Sequence, residues 1–218
     1  MRNVIILGAG GAGAEVTFYI EDHNSKVGVD QQIRISGYID DSKENWAKYK
    51  YKAPLLSNID SYTPKEGEEV LIAIMDISFR QKMIKVLLDK NAKIGSFIHE
   101  SVIKPDTMEL GVGNIVFPFC ILEKHAKIGN YNFLTSYCFI SHDCVVGDNN
   151  FLSVAGLAGS VKVGNNNYFG LRSTVIPGVE VGNNNVIQAG MIVDKNVKDD
   201  TTIFYRFKEK VMAIPKVN

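Results

Sequence analysis

The pattern of apolar and polar residues divides the chain into two parts. Up to about residue 95, short apolar runs alternate with segments in which apolar residues recur every three or four positions. Runs of the first kind predict buried strands, and segments of the second kind predict helices with one apolar face. Because the two kinds alternate along the chain, the pattern favours a small, mostly parallel sheet.

Four strands are predicted in this first part, at residues 4–7, 33–39, 70–75 and 93–98. The first strand is followed by the glycine-rich stretch GAGGAG at 8–13 and then by a helix, whose spaced residues are Val16, Tyr19, Ile20 and His23. His23 ends this helix and is expected on its exposed face. Ser78 is predicted as the N-cap of a second helix. The residues on its apolar face are Phe79, Met83, Val86 and Leu87.

From about residue 100 the helical spacing gives way to a repeat of about six residues. Apolar residues fall into three columns, and within each column the spacing is 18 residues with a single step of 17. The columns are Leu110, Ile128, Val146, Val163 and Val181; Val116, Leu134, Leu152, Phe169 and Ile187; and Leu122, Ile140, Leu157, Val175 and Val193. This pattern predicts a solenoid of triangular cross-section whose interior is filled by the three columns.

The corners of such a prism require left-handed backbone angles, which glycine and asparagine adopt most readily. We expect two asparagine runs, at 165–167 and 183–185, to supply them. We expect the same of the glycines that follow the first column, Gly111, Gly129, Gly147, Gly164 and Gly182. The cysteines follow the same repeat and are predicted to line the core as free thiols, without a disulfide. They are Cys120, Cys138 and Cys144.

Charge and hydropathy exclude several classes of partner. The chain has 24 basic and 24 acidic residues, so neither nucleic acid nor an anionic membrane is expected as a partner. No apolar stretch approaches the roughly 18 residues of a membrane span. The apolar run at the N-terminus is too short for a signal peptide, so a cytoplasmic protein is expected. No CxxC pair is present, and no metal site is expected.

The GAGGAG stretch follows a predicted strand and opens a predicted helix. In that context its backbone N–H groups and the helix N-terminus form an anion site that suits a diphosphate. Two alternatives remain: the glycines only permit close packing, or the loop binds a nicotinamide dinucleotide in an NAD(P)-binding oxidoreductase. Against the oxidoreductase, the repeat follows directly and leaves no ordinary substrate domain.

The repeat resembles the hexapeptide-repeat acyltransferases, whose coils form a left-handed parallel β-helix. A Rossmann-like α/β sheet domain ahead of it resembles one branch, the bacillosamine-type and perosamine-type N-acetyltransferases of nucleotide-linked amino sugars, related to sialic acid O-acetyltransferases. The resemblance covers about residues 2–195 and rests on GAGGAG, GYIDD (37–41) and ISHDC (140–144). It implies a nucleotide-sugar-binding domain at 1–98, an acyltransferase β-helix at 99–195, a C-terminal tail at 196–218, and a homotrimer.

The same resemblance assigns the nucleotide-sugar site. The diphosphate would be held by the glycines of the loop, Gly8, Gly10, Gly11 and Gly13. The nucleotide base would contact Asp40 or Asp41, with Asp41 preferred. The alternative is that these aspartates only belong to a surface loop. The chain departs from the family at Ala12, where a histidine is common, and at residues 75–77, where a glycine and polar residues are usual.

His142 is the third residue of the six that begin at Ile140, the place where this branch carries its general base. Counting 17 residues on leads to Gly159. An imidazole and an unobstructed amide on consecutive coils are what acyl transfer requires. The resemblance makes Asp143 the carboxylate that orients the imidazole; the alternative is an aspartate of a turn. His99 is expected at the join of the two parts, where a structural role is at least as well supported as a functional one. His125 is expected on the solvated surface.

The expected function is transfer of acetyl from acetyl-CoA to the amine of a nucleotide-linked amino-dideoxy sugar, a 4-amino-4,6-dideoxyhexose, for surface glycan synthesis. The alternatives are a sugar O-acetyltransferase, the oxidoreductase above, and a β-helix without activity. The resemblance places CoA along backbone groups of Gly159, Gly170, Leu171, Ala189 and Gly190. Basic residues of the tail either meet the CoA phosphates or pack on a neighbouring chain: Arg206, Lys208 and Lys210.

Overall fold

A four-stranded parallel sheet forms the first part of the computed structural model, in which residues 1–205 are described. Its strands are β1 (Arg2–Leu7), β2 (Ile33–Ile39), β3 (Leu55–Ser57) and β4 (Glu68–Ile72), in the order β3-β2-β1-β4. β1 lies between β2 and β4, and its residues Val4 to Leu7 are buried. The predicted parallel sheet is confirmed, with β3 as a short strand that the sequence pattern did not indicate.

Three helices accompany the sheet: α1 (Gly11–Lys26), α2 (Lys43–Lys48) and α3 (Ile77–Asp89). α1 buries Val16 and Ile20, as predicted. The N-cap of α3 is Asp76 rather than Ser78, because the Asp76 carboxylate accepts the Phe79 N–H at 2.7 Å. Phe79 is exposed and Val86 half-buried, so the buried face differs from the one predicted and consists of Arg80, Met83, Ile84 and Leu87.

The segment predicted as a fourth sheet strand, 93–98, divides between the two parts of the molecule. Ile94 makes one isolated bridge with Val70 of the sheet. Phe97–Ile98 instead pairs with Ile115–Val116 and so belongs to the first coil of the β-helix. The apolar pattern of this segment is that of a buried strand in either location, and pattern alone does not choose between them.

The second part is a prism of two-residue parallel strands stacked on three sides. The first side consists of Glu109–Leu110, Lys127–Ile128, Val145–Val146, Lys162–Val163 and Glu180–Val181. The second side consists of Phe97–Ile98, Ile115–Val116, Phe133–Leu134, Phe151–Leu152, Tyr168–Phe169, Val186–Ile187 and Thr202–Ile203. The third side consists of Ile121–Leu122, Phe139–Ile140, Gly156–Leu157, Thr174–Val175 and Ile192–Val193.

Each predicted column forms one side of the prism, and every member pairs in register with the next. In the third column, for example, Ile140 pairs with Leu122 on one coil and with Leu157 on the next. All column residues are buried except Leu110, which is half-buried at the open end. The three columns and the slip of one residue are therefore confirmed. The cysteines predicted to line this core are buried and unpaired: Cys120, Cys138 and Cys144.

The outer faces of the three sides differ in chemistry. The second side carries Phe133 and Phe151 under the sheet domain, in one core with Val4 and Val16. The first side carries ion pairs, such as Lys162 with Glu180 at 2.8 Å. The third side is not covered by any element within residues 1–205. Its exposed apolar residues are Ile103, Ile121, Phe139 and Ile192, with Gly156 and Thr174 between the last two.

Most corners are built by residues other than glycine, which corrects the prediction for the first-column glycines. Left-handed φ angles occur at Tyr137 (62°), Asp143 (59°) and Ser160 (61°), among others, but at none of those five glycines. The glycines are needed for a steric reason instead. A Cβ on Gly129 would lie 2.2 Å from Oδ1 of Asp148, because that side chain reaches back to accept the Asn130 N–H at 2.6 Å. The asparagine runs do supply such angles, at Asn166 and Asn184.

Buried asparagines form a continuous ladder at the corner between the first and second sides. Each side-chain Oδ1 accepts the main-chain N–H of the next member at 2.8 Å, and the last accepts from Thr201 at 2.7 Å. Its members are Asn114, Asn132, Asn150, Asn167 and Asn185.

Arg80 of α3 joins the sheet domain to this corner. Its side chain is buried and donates to Oδ1 of Asn149 at 2.7 Å and to the Asn150 carbonyl at 3.0 Å. These bonds fix the sheet domain against the prism. No helix within residues 1–205 is both long and apolar enough to cross a bilayer.

Candidate active site

His142 lies on the outside of the prism, at the corner that follows the third side. Ile140 and Cys144 point into the core, and the residues between them turn the chain. The His142 side chain is 59% exposed. The position within the repeat therefore gives an imidazole that solvent and a substrate can reach.

The neighbouring aspartate fixes the protonation pattern of this imidazole. Nδ1 of His142 lies 2.8 Å from Oδ2 of Asp143. Because a carboxylate only accepts, Nδ1 carries the proton and Nε2 is left with a free lone pair. The Asp143 main chain is held in its left-handed conformation by a bond from its N–H to the Lys124 carbonyl at 3.1 Å. The pair is thus arranged as a base with its orienting carboxylate.

Gly159, on the next coil, lies beside the edge of the His142 ring that carries Nε2. A Cβ built on Gly159 would be 2.7 Å from both Nε2 and Cε1 of His142. Within residues 1–205 the Gly159 N–H has no hydrogen-bond acceptor, whereas the corner residue one coil further on is Pro177, which has no N–H. The structure therefore brings together a proton acceptor and one free amide donor.

The remaining positions expected to contact CoA lie at the opposite corner of the third side. Leu171, Ala189 and Gly190 are exposed there and Gly170 is buried. The Gly190 carbonyl already accepts the Tyr205 hydroxyl at 3.2 Å. A single chain does not bring these residues to His142. The basic tail residues Arg206, Lys208 and Lys210 lie outside the described part of the chain.

A cavity of about 480 Å³ opens at the carboxyl ends of β1, β2 and β4. The residues predicted for the nucleotide sugar that line it are Gly8, Gly10, Gly11, Asp40 and Asp41. Its other walls are largely apolar, with Ile59, Phe79 and Met83. A cleft with a few polar groups at the ends of parallel strands is the usual ligand site of such sheets.

The four glycines of the loop serve two purposes. Gly8 has a φ of 102°, and a Cβ on Gly13 would lie 2.1 Å from the Gly8 carbonyl oxygen, so these two are required by the fold. A Cβ on Gly10 or Gly11 would meet nothing closer than 3.9 or 3.5 Å. Packing does not require glycine at these two positions. Both face the cavity, where a bare backbone leaves room for a ligand.

The two aspartates after β2 are not equivalent. Asp40 accepts the Ala9 N–H at 2.6 Å and the Ser42 N–H at 2.8 Å, so both of its oxygens hold the loops. Within residues 1–205, the Asp41 carboxylate accepts a single long bond, from the Ile59 N–H at 3.3 Å. Asp41 is therefore the carboxylate with capacity left for a ligand.

Tyr51 is a contributor to this site that the sequence did not indicate. Its hydroxyl lies 3.0 Å from the Ala9 carbonyl and 3.2 Å from the Gly10 carbonyl. Burial raises the pKa of Tyr51, so the hydroxyl remains a donor. Tyr51 and Asp40 therefore both hold the glycine loop by hydrogen bonds. The contact of Tyr51 spans 42 residues of sequence, so no local motif indicates it.

Two histidines form part of the join between the two parts of the chain. His23 is buried, contrary to the prediction, because its Nδ1 accepts the Glu100 N–H at 3.1 Å. His99 is also buried, and its Nε2 lies 2.9 Å from Asp22; burial lowers the pKa of His99. The predicted solvated position of His125 is confirmed.

Asp22, His99 and Glu100 lie close enough together to hold a metal ion. The Lys26 ammonium, however, is 2.6 Å from Asp22 and 3.3 Å from Glu100. A fixed cation thus fills the position between the carboxylates, and the cluster is an ion-pair network that joins α1 to the first coil.

Replacing Gly11 by alanine separates ligand binding from folding. Gly11 is in the first turn of α1, where alanine has the higher helix propensity, so the melting temperature is expected to stay the same or rise. The added methyl group lies on a residue that lines the cavity, and we expect KM for the expected nucleotide-sugar substrate to rise roughly tenfold or more. Steady-state kinetics with thermal unfolding measure both. An unchanged KM would show that the diphosphate does not approach this backbone.

The comparisons with known proteins agree with this architecture. Residues 3–87 match the family model of the PglD N-terminal domain, and no curated protein matches the sequence. PerB from Caulobacter crescentus, solved with CoA and GDP-perosamine, has a TM-score of 0.77 at 22% identity over 93% of both chains. The acetyltransferase domain of PglB from Neisseria gonorrhoeae FA1090, solved with acetyl coenzyme A, has a TM-score of 0.79 at 18% identity, over 92% of this chain and 95% of that one.

A third structure, WeeI from Acinetobacter baumannii AYE, has a TM-score of 0.76 at 24% identity, over 93% of this chain and 96% of that one. The shared fold extends through both parts of the chain. Residues 3–87 thus match the model of the PglD N-terminal domain, and together with the left-handed parallel β-helix that follows they share the fold of PerB, of the PglB acetyltransferase domain and of WeeI.

Proposed function

We propose that the protein transfers acetyl from acetyl-CoA to the amine of a nucleotide-linked amino-dideoxy sugar, a 4-amino-4,6-dideoxyhexose, in surface glycan synthesis. The observation that carries the proposal is the closeness of the His142 ring to Gly159, where an added Cβ would lie 2.7 Å from Nε2, together with a Gly159 N–H that has no acceptor within residues 1–205. Structures of the same fold with bound CoA or acetyl coenzyme A, one also with GDP-perosamine, support it. Acetyl-CoA and the sugar nucleotide place the reaction in the cytoplasm.

In the proposed mechanism each group has one role. The sugar amine attacks the thioester carbonyl carbon while Nε2 of His142 accepts a proton from the nitrogen. The carbonyl oxygen gains negative charge, which the Gly159 N–H stabilises. The C–S bond then breaks, and the imidazolium returns the proton to the CoA thiolate. Asp143 holds the ring and stabilises its charged form between the two proton transfers.

Transfer is direct, without an acyl-enzyme intermediate on the nearby cysteine. Cys144 is fully buried, and its Sγ lies 3.1 Å from the Ala158 carbonyl oxygen inside the prism. Burial raises the pKa of Cys144, which disfavours the thiolate that a nucleophile requires.

The acceptor's nucleotide occupies the cavity of the sheet domain in this proposal. Its diphosphate lies against Gly10 and Gly11 at the N-terminus of α1, and its base meets Asp41. The supporting observation is that Gly10 and Gly11, the two loop glycines that packing does not require, both line this cavity.

A homotrimer completes the site. His142 is exposed, and the expected CoA-binding residues Gly170, Leu171, Ala189 and Gly190 lie at the other corner of the same side, so a second chain is needed to bring the two sets together. The uncovered third side carries exposed apolar residues, and large exposed apolar patches mark protein interfaces.

The substitution Ile121→Lys tests this assembly. Ile121 is 42% exposed on the third side, and a buried lysine without a partner would destabilise the interface, so we expect a monomer and loss of most activity. The matched control is Val145→Lys, at a residue 44% exposed on the first side, which should stay trimeric. Light scattering measures the mass. A trimeric Ile121→Lys protein would exclude this side as the interface.

The function itself is tested by thiol release from acetyl-CoA with UDP-, dTDP- and GDP-linked 4-amino-4,6-dideoxy sugars. We expect release with at least one amino sugar and none with its 4-hydroxy counterpart. Release with the hydroxy sugar or sialic acid would instead indicate O-acetylation. Titration with NAD(P)H tests the oxidoreductase alternative, and tight binding there without thiol release would overturn the proposal.

A further inference from the structure

We infer that Glu123 is a positioning residue for His142, an inference that rests on the proposed function. Glu123 lies one coil before the histidine on the same corner of the prism. Its Oε2 accepts the His142 main-chain N–H at 3.0 Å. The same oxygen accepts the hydroxyl of Ser141.

The repeat places this carboxylate opposite Ser141. Glu123 follows Leu122 and Ser141 follows Ile140, and those two core residues pair in register. The Glu123 N–H also donates to the Ile140 carbonyl at 2.9 Å. Backbone and side chain of Glu123 therefore bind three consecutive residues of the next coil, residues 140–142.

Comparison of successive coils shows that this contact is particular to the histidine. The equivalent corner positions are Lys124, His142, Gly159 and Pro177. Within residues 1–205, the N–H groups of Lys124 and Gly159 donate no hydrogen bond. The N–H of His142 alone among them is held by a side chain.

Two consequences follow for the chemistry. The corner that carries the exposed imidazole is fixed by charge-assisted hydrogen bonds, which are stronger than neutral ones. The direction of Nε2 toward Gly159 depends on this corner, since only Asp143 holds the ring itself. In addition, the His142 N–H is occupied and cannot serve as the donor for the carbonyl oxygen of the thioester, a role that the proposal gives to the free N–H of Gly159 beside the ring.

The role is tested with Glu123→Ala and Glu123→Gln. Because misplacement of a catalytic group by about 1 Å costs up to about a hundredfold in rate, we expect Glu123→Ala to lower kcat roughly ten- to hundredfold. Both KM values should change less than about threefold, and the melting temperature by about 2 °C or less. Glu123→Gln keeps an acceptor oxygen and should recover most of kcat. The control is Glu109→Ala, which removes an exposed carboxylate paired only with Lys127.

A crystal structure of Glu123→Ala gives a readout that needs no acceptor. We expect the imidazole to leave Gly159 while the coils stay unchanged. An imidazole in its original place, a kcat equal to that of wild type, or a glutamine variant as slow as the alanine variant would each overturn the inference. If the wild-type protein releases no thiol with any acceptor, the proposed function fails, and the crystal structure still decides whether Glu123 holds His142.

Discussion

Replacement of His142 by alanine is expected to lower kcat for acetyl transfer by about 10²- to 10⁴-fold, the usual contribution of a general base. Nothing else on the corner provides a lone pair in the same position, because Asp143 accepts from Nδ1 on the far side of the ring. Binding should persist, since the imidazole lies outside the nucleotide cavity. Single-turnover kinetics and titration calorimetry with CoA and the sugar nucleotide measure the two effects separately.

His125→Ala is the matched control for this experiment. His125 is also an exposed histidine at the same corner, one coil earlier, but among the described residues it is His142, and not His125, whose ring is hydrogen-bonded to Asp143. We expect it to retain wild-type kcat. Near-normal turnover of His142→Ala would remove the histidine from the mechanism, and equal losses in the two variants would indicate a general effect on the corner.

Gly159→Ala should abolish most of the activity with little change in stability. The φ of Gly159 is not in the left-handed region, so alanine fits the backbone, and the only close contacts of its Cβ are with the His142 ring at 2.7 Å. The exposed imidazole gives way more easily than the coil. It moves off the Gly159 amide, and the methyl group crowds the position of the carbonyl oxygen.

We expect kcat to fall about 10²- to 10³-fold, as for the loss of an oxyanion donor, and the free energy of unfolding to change by about 1 kcal/mol or less. Stopped-flow thiol release and denaturant titration give the two numbers. Ser160→Ala, at the next residue of the same turn, is the control and should behave as wild type. Full activity of Gly159→Ala would show that the Gly159 backbone is not near the reaction.

The prism was predictable because its period is short and strict. Each column residue repeats the same environment, so spacing alone gives the pairing of Ile140 with Leu157. The exposure of His142 follows from its place between two inward-pointing residues. The adjacency to Gly159 follows from the step of 17 residues. Each of these positions depends either on neighbours within one coil or on the constant spacing between coils, and both can be read from the sequence.

Contacts between distant segments were not predictable in the same way. The bond of Tyr51 to the glycine loop leaves no spacing signature. The repeat places Glu123 opposite Ser141, but spacing does not show that its carboxylate accepts the His142 N–H. The buried state of His23 depends on the first coil packing against α1. The resemblance favoured Asp41 over Asp40 for the ligand, but only the structure shows that both oxygens of Asp40 hold the loops. Such assignments require the three-dimensional arrangement of loops.

The asparagine ladder has a consequence for how the prism unfolds. Opening one coil would leave the Asn132 or Asn150 amide without partners on the adjacent coils, and a buried unpaired amide costs about 1–3 kcal/mol. The opening of a single coil therefore breaks the ladder on both of its sides. For this reason we expect the coils to unfold together rather than one at a time. We therefore expect the alignment of His142 with Gly159 to persist up to the temperature of global denaturation.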